Sequence, residues 1–369
     1  MEPLKEIYSV DWVKNLSQIV TQVDSKIQPE EFQKKIFDSH WKKYELKERI
    51  NRIADVFLIF WNLPLSKIEP KLLRLIELLK KNGVSDFNFP YIFVNDIVTK
   101  SGLNDFETSM RVLEKTTVFS SAEFAIRFYY QNYFEKTLKQ MEKWSKHNDA
   151  FVRRLASEGS RPLLPWGIGI PAIKNKPEIH IKILENLWND ENEIVRRSVS
   201  NHLNDISKIQ PELVIKFCES RFGVSSDLDK SLKHALRGLL KKGNEVALSF
   251  FDYDTNWKPK NLKLDLKKKK VKIGESLPFQ IRFVNPTNKK TKIRIEYKIG
   301  FLLANGKYGT KVFQLGERMV DAKEEITIKK IHPFRTITTR VFYPGTQNIS
   351  IVMNGNEFIQ SEFELVKGS

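Results

Sequence analysis

The sequence has 369 residues, one cysteine and a formal net charge of +17, and its length allows two domains with separate cores. It has no apolar run of the roughly 18 residues that a membrane span requires, and its N-terminus, MEPLKEIYSV, lacks a signal-peptide profile. A lone Cys218 excludes an internal disulfide and any cysteine-based zinc or iron–sulfur site. Walker and dinucleotide-binding motifs are also absent. We therefore expect a cytoplasmic protein of bacterial type, with no membrane partner, cofactor or metal.

Amphipathic helical patterns fill the N-terminal two thirds of the chain. Apolar residues recur from Trp12 onwards at spacings of three and four, as on the buried face of a helix. Pro29 has the features of a helix start, and Pro70 is expected to open a further helix that Asn82-Gly83 ends. No convincing strand pattern interrupts this series. The sequence therefore predicts an all-α domain over residues 1–252.

An internal repeat indicates how these helices are arranged. Val-Arg-Arg occurs at Val152–Arg154 and at Val195–Arg197, an offset of 43 residues, and each copy is followed three residues later by a serine. A weaker third copy places Arg237 where the second has Arg197. Such a period is typical of stacked helix pairs, so we predict a HEAT-like solenoid of about six pairs. Between the first two copies, the two prolines and the glycine of Ser160–Gly167 favour a loop, with Trp166 at its tip.

The apolar period falls to two after a predicted linker at residues 253–261. Alternating segments such as Leu262–Leu266 and Phe279–Phe283 are typical of strands. Turn signals separate these segments, among them the hairpin dipeptide Asn354-Gly355. About seven short strands predict an immunoglobulin-like β-sandwich over residues 262–367, although the Cys…Trp…Cys spacing of true immunoglobulin domains is absent.

The positive charge is concentrated in this C-terminal region. Residues 256–369 hold 23 basic and 10 acidic residues, a balance of +13, which leaves only +4 for the rest of the chain. A basic module of this kind indicates a polyanionic partner, most simply nucleic acid. The alternative is a solvated charged surface, and Lys267–Lys270 fits either interpretation.

The segments Arg153–Trp166 (RRLASEGSRPLLPW) and Val195–Ser207 (VRRSVSNHLNDIS) resemble the AlkC/AlkD family of DNA alkylation-repair glycosylases, and AlkC most closely. The resemblance implies a helical-repeat enzyme that acts on double-stranded DNA containing alkylated bases, and we expect a monomer. It also agrees with the predicted sandwich, because some AlkC-type members carry such a domain after their repeats.

The resemblance implies three catalytic residues: Glu123, Trp166 and Asp205. Each also has a structural interpretation. Ser120-x-x-Glu123 is a capping-box pattern at a helix start, Asp205 could bond only to a neighbouring loop, and Trp166 could be a buried loop anchor. His202 lies one helical turn before Asp205 without a second ligand at metal-binding spacing, which favours a structural role.

The implied reaction is hydrolysis of the N-glycosidic bond of cationic bases, 3-methyladenine or 3-methylcytosine, with 1-methyladenine left open. Such a base is already a good leaving group, so a carboxylate that stabilises the cationic sugar suffices. The resemblance further implies that the base stays stacked in the duplex. Seven basic residues are candidates for DNA contacts: Arg153, Arg154, Arg161, Arg196, Arg197, Lys307 and Lys311. A non-catalytic repeat scaffold and an inactive damaged-DNA binder remain as alternatives.

Overall fold

The computed structural model describes residues 3–335 and 340–368. Contacts between residues divide the chain into two compact units. The helical unit comprises Met1–Val214 with Gly223–Ala235, and the C-terminal unit comprises Ile215–Phe222 with Leu236–Ser369. Within the described part of the chain, no helix is both long enough and apolar enough to span a membrane.

Fifteen α-helices occupy the described residues before the first strand, which confirms the all-α character predicted for this region. Their bounds are α1 Val10–Val23, α2 Pro29–Ile36, α3 Leu46–Phe60, α4 Leu65–Lys81, α5 Phe93–Gly102, α6 Phe106–Phe119, α7 Ile126–Asn132, α8 Phe134–Trp144, α9 Ala150–Glu158, α10 Pro171–Asn175, α11 Ile181–Leu187, α12 Glu193–Ile206, α13 Pro211–Glu219, α14 Ser226–Lys241 and α15 Glu245–Ser249.

Helix α4 begins earlier than its sequence pattern suggests. The expected start at Pro70 is wrong, because the helix begins at Leu65 and Pro70 lies within it. The proline removes one intrahelical hydrogen bond early in the helix. Burial of apolar side chains on both sides of it, including Ile68 and Leu72, stabilises the helix across this position. The expected end at Asn82-Gly83 is confirmed, since Asn82 is the C-cap and Gly83 has a positive φ of 85°.

The two Val-Arg-Arg copies form equivalent helices, α9 and α12, which pack against each other. Each helix is capped by a side chain at the same place in the repeat: Asp149 accepts from the backbone N–H groups of Phe151 and Val152 in α9, and Asn192 accepts from that of Ile194 in α12. Val152 and Val195 are buried in the same relative position. The helical repeat predicted from the sequence is therefore present.

The C-terminal unit contains a two-sheet β-sandwich, as predicted. Its strands are β1 Lys260–Leu266, β2 Lys270–Lys272, β3 Ser276–Val284, β4 Thr291–Leu302, β5 Tyr308–Val320, β6 Glu325–Pro333, β7 Gly345–Met353 and β8 Asn356–Val366. One sheet has the order β1-β3-β6, and the other has the order β2-β8-β7-β4-β5. All pairs are antiparallel except β2 with β8.

Alternating side chains fill the space between the sheets, as the period of two indicates. Phe279, Phe283 and Ile295 are buried there, and so is Trp257, which lies in the predicted linker. The Trp257 Nε1–H donates to Asn285 Oδ1 at 3.1 Å, so this indole is part of the sandwich core. The domain boundary at residue 252 stays a prediction.

Candidate active site

Glu123 lies in the turn between α6 and α7, where it is paired with an arginine. Its Oε2 accepts from Arg154 Nη2 at 2.9 Å and from Ser121 Oγ at 2.8 Å, and the side chain is 16% exposed. The capping-box interpretation of Ser120 and Glu123 is wrong. Helix α7 begins only at Ile126, and the buried Ser120 hydroxyl has no hydrogen-bond partner within the described residues. The carboxylate is thus held by Arg154 and does not cap a helix.

Asp205 lies near the end of α12 and is almost fully buried, with 2% of its side chain exposed. Its Oδ2 accepts from Arg161 Nε at 2.9 Å, and its Oδ1 accepts from Lys208 Nζ at 3.2 Å. Arg161 also donates to Glu158 Oε1 at 2.6 Å. The second oxygen of Glu158 accepts from Ser198 Oγ at 2.6 Å. These contacts hold Asp205 in a continuous ionic network between α9 and α12.

The network determines the charge state of its central arginine. Burial alone would lower the pKa of Arg161, but the charges of Glu158 and Asp205 raise it above its usual value. Arg161 is therefore a permanent cation whose predicted contact with DNA competes with two carboxylates. The network also supports the interpretation in which Asp205 bonds to a neighbouring loop, because Arg161 belongs to the loop after α9.

Trp166 occupies the tip of the loop, as predicted, and 56% of its surface is exposed. Its interpretation as a buried anchor is therefore wrong. The residue has a φ of +62°, a conformation that non-glycine residues adopt rarely and at a cost in energy. Lys47 Nζ donates to its carbonyl oxygen at 2.8 Å, and the Phe89 ring lies 6.3 Å from the indole. The loop thus presents an indole face to solvent.

Arg127 joins the Glu123 turn to the Trp166 loop. It is buried on α7, and its guanidinium donates to the carbonyls of Gly159, Arg161 and Ile168 at 3.0, 2.9 and 2.6 Å. Burial lowers the pKa of Arg127 to about 10, with Arg161 acting in the same direction and the carboxylates of Asp205 and Glu123 opposing it. Arg127 therefore lies within electrostatic reach of both proposed catalytic carboxylates.

Arg127 is not among the site residues predicted from the sequence, and its only signal there is its local context. It is a lone charge inside the aromatic segment Phe124–Tyr130, and a charged side chain among such residues must find partners when it is buried.

The first arginine of each Val-Arg-Arg copy stabilises the helical repeat. Arg153 Nη1 donates to the carbonyls of His147 and Asn148 at 2.9 and 2.8 Å. Arg196 Nη1 repeats this with the carbonyls of residues 190 and 191 at 2.7 and 2.8 Å. Arg153 also makes a two-bond contact with Asp190 at 2.6 and 3.0 Å. These bonds favour a structural role for both arginines over the expected contact with DNA.

The remaining predicted DNA contacts are more accessible. Arg197 is 64% exposed and pairs with Glu193 one helical turn away at 3.2 Å. In the C-terminal unit, Lys307 is exposed in the turn between β4 and β5. Lys311 is exposed on β5, with its ammonium 5.5 Å from the centre of the Phe313 ring. The part of these lysines in DNA binding stays a prediction.

The histidine next to the site is a core residue. His202 is fully buried, its Nδ1 lies 3.0 Å from the Ser157 carbonyl, and its ring packs against His180. Burial lowers the pKa of His202 well below its usual value. Among the described residues, no group of three or more His, Cys, Asp and Glu side chains is placed to hold a metal ion.

Two protein-family models match the chain. Residues 107–238 match a family described as DNA alkylation repair enzyme, and these residues include Glu123, Trp166 and Asp205. Residues 260–367 match the C-terminal Ig-like domain of an uncharacterised protein, YhaZ. The fold and these matches define the class of helical-repeat DNA alkylation-repair enzymes with an immunoglobulin-like domain.

Similarity over the whole chain identifies the family. The uncharacterized protein YhaZ of Bacillus subtilis (strain 168) is 36% identical over 365 residues, which cover 99% of this chain and 100% of YhaZ. The structure of the Pseudomonas fluorescens alkylpurine DNA glycosylase AlkC, bound to DNA containing an abasic site analog, matches with a TM-score of 0.88. That match is 30% identical and covers 99% of this chain and 100% of that one. The chain belongs to the AlkC/AlkD family of DNA alkylation-repair enzymes, as a member of the AlkC type.

Proposed function

We propose that the protein is a DNA glycosylase that hydrolyses the N-glycosidic bond of cationic alkylated bases in duplex DNA. The substrates are 3-methyladenine and 3-methylcytosine, with 1-methyladenine a further case for the same assay. The observation that carries this proposal is the position of Arg127, which lies within electrostatic reach of the partly exposed Glu123 carboxylate and donates to the Ile168 carbonyl in the loop that presents the exposed Trp166 indole. The printed name of the AlkC relative, an alkylpurine DNA glycosylase, supports it.

The two carboxylates stabilise the positive charge that develops on the sugar as the bond is cleaved. A base methylated at N3 already carries positive charge, so it leaves without a strong general acid. Positive charge then develops on the deoxyribose, and a carboxylate at ~4 Å in an effective dielectric near ~20 stabilises it by about 4 kcal/mol. That energy corresponds to roughly a thousandfold in rate. Glu123 is the more accessible of the two carboxylates, and Asp205 is opened when Lys208, itself 46% exposed, moves to a phosphate.

The indole acts on the same sugar. In our proposal, the face of Trp166 lies against the deoxyribose, where its electron-rich surface favours the developing cation. Its φ of +62° directs the side chain out of the loop at a local cost in energy, which the surrounding bonds to Arg127 and Lys47 offset. We also propose that the base stays stacked during cleavage, because these groups act on the sugar and need no contact with the base.

Phosphate contacts complete the proposed complex. In the helical unit, we assign Arg197 and Arg154 to contacts with the DNA backbone. Arg154 also orients Glu123. Lys307 and Lys311 are assigned the same role in the basic sandwich, which positions the duplex. Arg153 and Arg196 are omitted because they bond to backbone carbonyls of the repeat, and Arg161 is omitted because it is buried between two carboxylates.

The test is incubation of the full-length protein with methylated duplex DNA, followed by chromatography of the released bases. Enzyme-dependent release of 3-methyladenine and 3-methylcytosine is the expected result. Binding of the methylated duplex without base release would favour a damaged-DNA binder. Neither release nor preferential binding would favour a protein scaffold, in which the repeats hold another protein.

A further inference from the structure

A cavity of about 310 Å³ lies beside the candidate site and has no part in the proposed sugar chemistry. Its walls are mainly apolar: the rings of Phe124 and Phe128 line it, and so do Ile50, Leu103 and Ile168. The volume is at the lower end of the range for small-molecule pockets, roughly 300 to 1,000 Å³. A planar molecule with one or two rings fits such a space, whereas an oligonucleotide does not.

One carboxyl group lines this apolar cavity without a partner. Asp96 of α5 is only partly exposed, and within residues 3–335 and 340–368 no group forms a hydrogen bond or ion pair with its side chain. The two nearby lysines are bound elsewhere: Lys100 pairs with Asp55 at 2.7 Å, and Lys47 donates to the carbonyl of Trp166 at 2.8 Å. A partly buried carboxyl group that faces apolar walls without a donor is unfavourable, so a ligand with N–H groups would satisfy it.

The cavity adjoins both proposed catalytic elements. Phe124 directly follows Glu123 in the chain, and Ile168 belongs to the loop that presents Trp166. Lys47, which lines the cavity, is the residue that holds the Trp166 carbonyl. The cavity is therefore next to the residues between which a base would leave the proposed reaction centre.

We propose that this cavity binds a methylated nucleobase, whose amino group donates to Asp96 while its ring packs against Phe124 and Phe128. Asn51, also in the lining, offers an amide to the ring nitrogens. This inference rests on the proposed glycosylase function for the source of the ligand. The base is the free product of cleavage, because the proposed reaction leaves the substrate base stacked in the duplex.

Calorimetric titration of the full-length protein with free 3-methyladenine tests the cavity without DNA. The wild type is expected to bind 3-methyladenine, and Asp96→Asn is expected to bind it at least about tenfold more weakly. Unsubstituted purine lacks the amino group, so the wild type is expected to bind it weakly or not at all. Asp55→Asn is the matched control, because Asp55 is the exposed partner of Lys100 and does not line the cavity. Phe128→Ala removes a half-exposed wall of the cavity and is expected to weaken binding as well.

The pH dependence of binding provides an independent readout. Burial raises the pKa of Asp96 to about 6, with Lys100 and Lys47 opposing this and Asp55 reinforcing it. Because the ionised carboxylate is the acceptor, binding is expected to weaken as pH falls through about 6. The charged groups that face Asp96 are Lys47 and Asp55 of α3 and Lys100 of α5.

Two kinetic measurements test this source of the base. Asp96→Asn is expected to leave single-turnover release from methylated DNA unchanged and to abolish inhibition by added 3-methyladenine. Slower single-turnover release by Asp96→Asn would refute the product assignment, because the base would then have to enter the cavity before cleavage. Absence of binding by the wild type, or equal binding by Asp96→Asn and Asp55→Asn, overturns the inference. Binding of the free base with no release from any methylated duplex would instead refute the proposed function and leave the cavity assignment standing.

Discussion

Replacing Asp96 by asparagine is expected to stabilise the protein at neutral pH. Burial is the main cause that raises the pKa of Asp96 from 3.8 to about 6. Lys100 and Lys47 lower it and Asp55 raises it further, but these charges are secondary. The ionised carboxylate is therefore less favourable in the folded protein than in the unfolded chain. Asparagine has the same shape and removes the charge, so it relieves this penalty.

The size of the effect follows from the linkage between protonation and folding. At pH 7 both states are largely ionised, and a difference of about two pKa units corresponds to a penalty of at most about 3 kcal/mol. As pH falls through about 6, the folded protein binds the proton first, so the penalty shrinks. At pH 5 about half of it is left, and it vanishes below the unfolded value near 4. The gain from Asp96→Asn is therefore largest at neutral pH.

Urea unfolding of the full-length protein at pH 7 and pH 5 measures this gain. The midpoint is expected to rise without a change in slope, because the buried surface is the same. Asp55→Asn, which breaks only the surface ion pair with Lys100, is expected to change the free energy of unfolding by less than about 1 kcal/mol. A loss of stability at pH 7, or a gain that does not shrink at pH 5, would refute the assignment of a partly buried, unpaired carboxylate.

Three further predictions concern the proposed reaction. Asp205→Asn is expected to lower single-turnover release of 3-methylated bases by about two orders of magnitude, and a rate within about threefold of wild type, with Glu123 intact, would exclude Asp205 from the mechanism. Trp166→Ala is expected to reduce the rate more than Trp166→Phe with little change in melting temperature, as kinetics and thermal unfolding can check. Charge reversal of Lys307 and Lys311 is expected to weaken DNA binding and lower its log–log salt slope by about 0.9 for each lost phosphate contact, and an unchanged slope in fluorescence anisotropy would assign the basic sandwich to another partner.

These charge reversals are preferable to truncation near Asp254, because the end of the helical region is part of the C-terminal unit. Gly243 approaches the Gly355 backbone so closely that a Cβ on it would lie 2.7 Å from the Gly355 carbonyl oxygen. Asn354 Nδ2 donates to the Asp254 carbonyl at 2.9 Å. Removing the strands would therefore expose helical residues as well as remove the proposed DNA contacts. Loss of binding in such a fragment would have two causes that one assay could not separate.

Elements that depend on local physics could be predicted from the sequence. Helix α1 has its cap at Ser9 and buries Val13, Leu16 and Val20 at helical spacing. The turn at Asn354-Gly355 has positive φ angles of 45° and 86°, as a two-residue hairpin requires. Both features are encoded within a few neighbouring residues, so no tertiary contact is needed to anticipate them.

Features that depend on long-range contacts could not be predicted. The ion pair between Glu123 and Arg154 joins residues 31 positions apart, and that between Asp205 and Arg161 joins residues 44 apart. Basic residues were expected to face DNA because charge normally lies at the surface, but Arg161 is buried between two carboxylates. The pattern Ser120-x-x-Glu123 matched a capping box because the motif does not specify where the helix begins. Asp96 carries no local signal, since its unusual environment comes from helices far apart in the chain.

The pairing of both proposed catalytic carboxylates with cations meets two opposite electrostatic requirements. An unpaired carboxylate would repel the DNA phosphates, whereas a site of cations alone would oppose positive charge on the sugar. Glu123 with Arg154, and Asp205 with Arg161, leave little net charge at a distance. Coulomb energy varies inversely with distance, so a sugar within ~4 Å of one carboxylate oxygen still feels mainly that oxygen. In the proposed complex, a phosphate draws Lys208 away from Asp205, so this carboxylate becomes more effective when the duplex is bound. The electrostatic stabilisation of the sugar cation would then be strongest in the complex with DNA.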